Sequence, residues 1–166
     1  TDKTASRIFV SKGVGGNADR SYGLYYDQSV DRIKLRVSTD GTTNTDLTAD
    51  ALGSPSANTW YFVVAWRDSG TNTIKMCVND GTVNSTAFTG TLKTSTDALY
   101  VCINGDFTSH MIGRMGPTGI WKKAISSGEI TSLYNAGYGK FFNNLDSTEL
   151  TNLYSYWNMT DASGAT

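Results

Sequence analysis

Between Arg32 and Ser38 the chain alternates without a break: Ile33, Leu35 and Val37 take one side, Arg32, Lys34 and Arg36 the other. A repeat of two residues marks an extended strand with one buried and one wet face, as in an antiparallel sheet. Asp40-Gly41 closes the run with a turn. Further short β-like runs follow the same logic: Arg7 to Ser11, Tyr22 to Asp27, Thr73 to Asn79, Leu99 to Asn104, Met111 to Met115 and Thr118 to Trp121. Trp60 to Arg67 (WYFVVAWR) is apolar on both faces, as a central sandwich strand would be. Asp68 to Asn72, Asn79-Asp80-Gly81 and Asn104-Gly105 separate the runs with residues that tolerate positive φ. Strands recurring at about ten-residue intervals between such turns predict an all-β fold of two packed antiparallel sheets.

The texture changes near the C-terminus. Ser126-Ser127-Gly128-Glu129 has the spacing of a capping box, Ile130, Leu133 and Tyr134 follow at helical intervals, and Gly137 offers a stop. Asp146 to Glu149 repeats the box ahead of Leu150 and Leu153. One or two short helices are therefore expected after the strands.

Bulk properties narrow the partners. Only 17% of the 166 residues are charged and the net charge is -1, so neither nucleic acid nor an anionic membrane is an expected partner. No apolar run approaches the ~20 residues of a membrane span. Cys77 and Cys102 lie in β-like runs without a C-x-x-C partner, which argues against zinc. A bridge between neighbouring strands and two buried thiols both stay open, with the thiols favoured because cysteine packs as a small hydrophobe.

The segments carry a resemblance as well. Asn58 to Ala65 (NTWYFVVA), the hairpin at Val78-Asn79-Asp80-Gly81, Met111-Ile112-Gly113-Arg114 through Gly119-Ile120-Trp121-Lys122-Lys123-Ala124-Ile125-Ser126, and Ser127-Gly128-Glu129-Ile130 through Leu133-Tyr134-Asn135-Ala136-Gly137 resemble, in order, motifs of laminin-G-like, concanavalin A-like jelly-roll domains. The resemblance implies a two-sheet antiparallel jelly-roll sandwich over residues 1–142. Members serve as lectin-like, adhesion or carbohydrate-binding modules of secreted bacterial and phage virion proteins, so an extracellular or virion-surface location is expected. Leu153 to Gly164 (LYSYWNMTDASG) resembles the opening strand of the same family. Residues 143–166 then read as a linker helix plus the first strand of a next repeat. That strand would either complete this sandwich or insert into a neighbouring one, giving contacts between repeats or subunits.

Candidate chemistry is sparse. Glycosidases on this fold need two carboxylates, but the chain holds two glutamates, Glu129 and Glu149, and each stands at the third position of a capping box. His110 is the only histidine and has no nucleophile motif beside it. The loop Gly13-Val14-Gly15-Gly16 lacks the G-K-[ST] and the helix of a phosphate cradle. The chain is therefore expected not to be an enzyme. The resemblance implies a structural Ca²⁺ at a sandwich rim, with Asp, Asn and backbone oxygens as ligands. Asp19, Asp27, Asn104 and Asp106 are the foremost candidates, with Asp40 and Asp68 behind them.

Sugar binding asks for exposed aromatic faces beside polar groups. Tyr25, Tyr61 and Tyr100 are the aromatic candidates, with Tyr25 and Tyr61 expected on exposed faces. Trp60, Phe62, Val64 and Trp66 are expected to share a core-facing side. Arg32, Lys34 and Arg36 form a basic stripe that could contact acidic glycans or simply face water. Two functions compete: a non-catalytic module that binds a glycan or cell-surface polysaccharide, and a ligand-free structural repeat of a fibre or array assembled by strand exchange. A glycoside hydrolase is a remote third.

Overall fold

The computed structural model describes residues 3–13, 19–103, 105 and 109–159. The chain parts into two compact units, Thr1–Gly113 and Arg114–Thr166.

The first unit is built from β1 (Arg7–Lys12), β2 (Tyr22–Asp27), β3 (Arg32–Ser38), β4 (Asn44–Thr48), β5 (Val63–Asp68), β6 (Thr73–Val78), β7 (Asn84–Ala87) and β8 (Leu99–Val101). Five of these form one sheet in the order β4-β3-β2-β1-β8, and three form another in the order β5-β6-β7. Every pairing is antiparallel. The alternation in β3 does what its period dictates: Ile33, Leu35 and Val37 are buried, and with Leu47 and Ala49 they pack on Ile74, Met76, Val78 and Phe88 of the opposite sheet and its return loop. Ile74 and Met76 are completely buried, and each such side chain contributes ~1.5–3 kcal/mol through lost apolar surface. These are the two packed antiparallel sheets that the strand pattern predicts, and they form the jelly-roll sandwich that the resemblance implies.

Three local expectations need correction. Trp60, Phe62, Val64 and Trp66 do not form the core face of WYFVVAWR. Tyr61, Val63 and Ala65 pack against the core instead, and Trp60 is 62% exposed. The register explains it: Val63 and Ala65 stand opposite Val78 and Met76, whereas Val64 and Trp66 stand opposite Cys77 and Lys75 on the outer side. Met111 to Met115 is not a strand; Gly113 takes φ +148 there, and among the described residues the only isolated bridge nearby joins His110 to Ile103. The strand at Leu99 ends at Val101 because Cys102 turns left-handed, with φ +64.

Gly13 is required where it stands. Its φ is +89, and a Cβ there would lie 2.1 Å from the Asp19 carbonyl oxygen as the chain doubles back into β2. Cys77 and Cys102 are separate thiols. Burial pushes both thiol pKa values up, and Cys77 Sγ donates to the Gly81 carbonyl at 3.2 Å.

The second unit holds β9 (Thr118–Trp121), α1 (Ser127–Tyr134), α2 (Ser147–Leu150) and β10 (Leu153–Trp157), with short 3-10 turns between the helices. Both capping boxes form as the sequence predicts, on Ser126 with Glu129 and on Asp146 with Glu149. The αL stop of α1 is Asn135 rather than Gly137. β10 pairs antiparallel with β9 of the same chain. Among the described residues no helix is long and apolar enough to cross a membrane.

Candidate functional site

The outer face of the five-stranded sheet collects most of the candidate residues. Strand register places Tyr100, Ser11, Gly23, Arg36 and Asp46 in one row across all five strands. The adjacent row runs Ile8, Tyr25, Lys34 and Thr48, and Asp27 stands opposite Arg32 beyond it. Tyr25, Tyr100, Arg32, Lys34 and Arg36 thus share one surface. Gly23 leaves a dip in its row, since a Cβ there would meet nothing nearer than Ser11 Cβ at 4.0 Å.

Tyr25 is not the exposed ring that the sequence suggests. It is 9% exposed, because Arg36 and Lys34 lie over it at 5.5 and 6.0 Å from the ring centre. Its hydroxyl is buried without a hydrogen-bond partner among the described residues. Burial, and then the Asp46 charge, push its pKa up. Tyr61 is likewise not exposed on an outer face. It packs against the core of the other sheet side, and its hydroxyl accepts the Ser56 N–H at 2.7 Å. Tyr100 is half-buried at the end of its row.

The basic stripe is not a set of bare cations. Arg36 makes a two-pronged pair with Asp46, Nε to Oδ1 and Nη2 to Oδ2, both at 2.7 Å. Lys34 Nζ lies 3.1 Å from Asp46 Oδ2 and 3.2 Å from Asp27 Oδ2. Arg32 Nε lies 3.8 Å from Asp50. Three cations therefore face three carboxylates. Burial works against the charge of Asp46, but Arg36 and Lys34 outweigh it and hold its carboxyl below the usual range. Burial likewise pulls Lys34 down, yet Asp46 and Asp27 keep it above its ordinary value. Sequence reading missed Asp46 and Asp50. The only available signal was the alternation in Asn44 to Thr48, which places Asp46 on the wet side opposite Leu47.

Of the calcium candidates, Asn104 and Asp106 lie outside the described residues. Asp19 precedes β2 and Asp27 is its last residue, so the two stand at opposite ends of the strand. Asp19 Oδ2 accepts from Ser95 Oγ, Thr96 N and Oγ1, and Asp97 N, pinning that loop to the β2 entrance. Asp27 holds Ser29 and Lys34. Both carboxylates already serve protein donors, and among the described residues no cluster of three or more His, Cys, Asp or Glu could hold a metal ion. Asp40 and Asp68 close their own turns in the same way. His110 is exposed, at its isolated bridge.

A sandwich of a five- and a three-stranded antiparallel sheet, with residues 1–131 matching the family model described as concanavalin A-like lectin/glucanases superfamily, decides the relationship. The chain belongs to that superfamily. Comparison with curated proteins and with solved structures found no match. In this lectin/glucanase-type chain the only two glutamates are engaged by lysines: Glu129 by Lys123, and Glu149, 1% exposed, by Lys140 at 2.7 Å. β10, which carries the opening-strand resemblance, lies beyond the matched span.

Proposed function

We propose that this chain is a non-catalytic carbohydrate-binding module that engages a polysaccharide on the outer face of its five-stranded sheet. The observation that carries the reading is the row Tyr100, Ser11, Gly23, Arg36, Asp46. It offers an aromatic ring at one end, a planar guanidinium–carboxylate pair at the other, and between them the small buried residues Ser11 and Gly23. Sugars need that combination: a ring face for C–H stacking and fixed donors and acceptors for hydroxyls. Tyr25 acts as the platform that holds Arg36 and Lys34 flat rather than as a stacking surface. Because the stripe is neutralised by Asp27, Asp46 and Asp50, the favoured ligand is neutral rather than acidic. That ligand class supports an extracellular or virion-surface location.

Affinity electrophoresis in gels containing xylan, mannan, glucan or alginate tests this. The wild-type chain should be retarded by at least one neutral polysaccharide. Tyr100→Ala and Arg36→Met should migrate freely in that gel. Migration unaffected by every polysaccharide would overturn the reading, and retardation by alginate alone would overturn its preference for neutral ligands.

A further inference from the structure

A cavity of about 220 Å³ lies where the β6–β7 hairpin meets the chain leaving β4. Leu52 and Val78 give it an apolar wall; Val78 belongs to the packed core of the sandwich and Leu52 packs against it. Asn79, Asn84 and Thr82 supply its polar side, and no charged residue lines it.

The two asparagines are held in a defined orientation. Asn79 sits in the left-handed region at φ +52. Its Oδ1 accepts the Phe62 N–H at 2.9 Å while its own N–H donates to the Phe62 carbonyl at 2.9 Å. Asn84 Oδ1 accepts the Ala51 N–H at 3.3 Å. A backbone N–H can be met only by the oxygen of an amide, so each contact fixes which way the amide faces. Both Nδ2 groups are left as donors, with no acceptor among the described residues. Thr82 is exposed and adds a hydroxyl.

Two oriented N–H donors, one hydroxyl and an aliphatic wall match a ring that carries hydroxyls on its edge and C–H groups on its face. Lack of charge disfavours an anion. The volume lies below the ~300–1,000 Å³ of pockets that enclose drug-sized molecules, which suits one ring rather than an extended chain. We infer that this cavity is a second sugar subsite, apart from the sheet face, that takes a single neutral sugar ring such as the terminal residue of a glycan. The inference rests on the carbohydrate reading above but not on the sheet-face residues.

The test is an amide NMR titration of the whole chain with the methyl glycosides of glucose, galactose, mannose and N-acetylglucosamine. Asn84→Asp keeps the acceptor for the Ala51 N–H and removes the donor. Thr82→Val changes an exposed position and serves as the second variant. At least one glycoside should shift Ala51, Leu52, Asn79 and Thr82 saturably. Asn84→Asp should weaken it about tenfold, the loss of one well-placed hydrogen bond, and Tyr100→Ala should leave it unchanged. Shifts that ignore both cavity variants, or no shifts in a chain that a polysaccharide gel retards, would overturn this site and leave the sheet-face reading standing. Glycoside shifts without retardation would support this site and overturn the sheet face. Failure of both experiments would overturn the carbohydrate reading itself.

Discussion

The rings of Trp121 and Tyr156 meet edge to face, 6.1 Å between centres at 82°, over the bare backbone of Gly119. A Cβ at Gly119 would lie 2.4 Å from Trp121 Cη2 and 2.7 Å from Tyr156 Cδ2. Gly119 is paired with Tyr156 across β9 and β10, so the missing side chain is what lets the two aromatics cover the ladder. Gly119→Val should force one ring off its rotamer and cost about 1–3 kcal/mol. Urea unfolding monitored by tryptophan fluorescence checks this, with Gly119→Ala expected to show a smaller loss. A neutral Gly119→Val would mean that the aromatic pair does not hold the two strands.

Two lysines tie α1 and α2 together reciprocally. Lys123 meets Glu129 of the first capping box and donates to the Thr148 carbonyl of α2 at 2.8 Å. Lys140 meets Glu149 of the second box and donates to Ser132 Oγ of α1 at 2.7 Å. The Glu149 side chain is 1% exposed and that of Glu129 is 11% exposed. Removing Lys140 strands a buried carboxylate, worth about 3–5 kcal/mol, whereas water can reach Glu129 when Lys123 is lost. Lys140→Met should therefore lower stability clearly more than Lys123→Met in the same urea assay. The reverse order would refute the burial argument.

Local chemistry was readable in the sequence, and register was not. Both capping boxes announced themselves through Ser126/Glu129 and Asp146/Glu149, since a box lies within four consecutive residues. The dry face of β3 was equally legible from Ile33, Leu35 and Val37. The face of β5 was not, because WYFVVAWR is apolar on both sides and only its pairing with β6 sends Val63 and Ala65 inward. Asp46 stayed hidden for a related reason: Asp40-Gly41 marks the turn after β3 but not the register across it, which Ser38 and Asp40 set through side-chain bonds and which brings Asp46 opposite Arg36. The cavity at Asn79 and Asn84 depends on a loop from another strand pair and had no sequence signal at all.

Asp31 joins three parts of the first unit: its carboxylate meets Lys3 at 2.6 Å, Tyr26 Oη at 2.8 Å and Ser54 Oγ. Hydrogen bonds from Lys3, Ser54 and Tyr26 lower its pKa from 3.8 to about 2. A folded-state pKa below the unfolded one stabilises the fold above pH 3.8, and that contribution fades as pH falls toward about 2. Melting temperature should thus be insensitive to this group from neutral pH down to the unfolded pKa and drop below it. Asp31→Asn should reduce the acid slope between those two values. An unchanged slope in the variant would assign the acid loss to other carboxylates.

The two cysteines predict redox indifference. Cys77 is buried and Cys102 half-buried, both are thiols, and burial raises both pKa values. Thiolate is the reacting form, so labelling of the native chain by a disulfide reagent should be slow and should reach two equivalents only on unfolding. Melting curves with and without dithiothreitol should coincide. A reductant-dependent shift would show that a bridge contributes to stability.

The Arg36–Asp46 pair is the part of the candidate site most open to direct measurement. Its side chains are 31% and 27% exposed, which puts it between a surface pair worth under about 1 kcal/mol and a buried one whose disruption costs about 3–5. Two-pronged geometry favours the upper part of that interval. A double-mutant cycle on Arg36→Met and Asp46→Leu should give a coupling of about 1–2 kcal/mol. Asp46→Leu alone should cost more than the double variant, because it leaves Arg36 over Tyr25 without its carboxylate partner and Lys34 with Asp27 alone. Acid should erase the difference: the Asp46 carboxyl is held below its ordinary value, so its stabilisation is present above the unfolded pKa and is lost as pH falls through the folded one. A coupling indistinguishable from zero at neutral pH would mean that the pair is not held rigid, and a face without rigid donors and acceptors would not select a sugar.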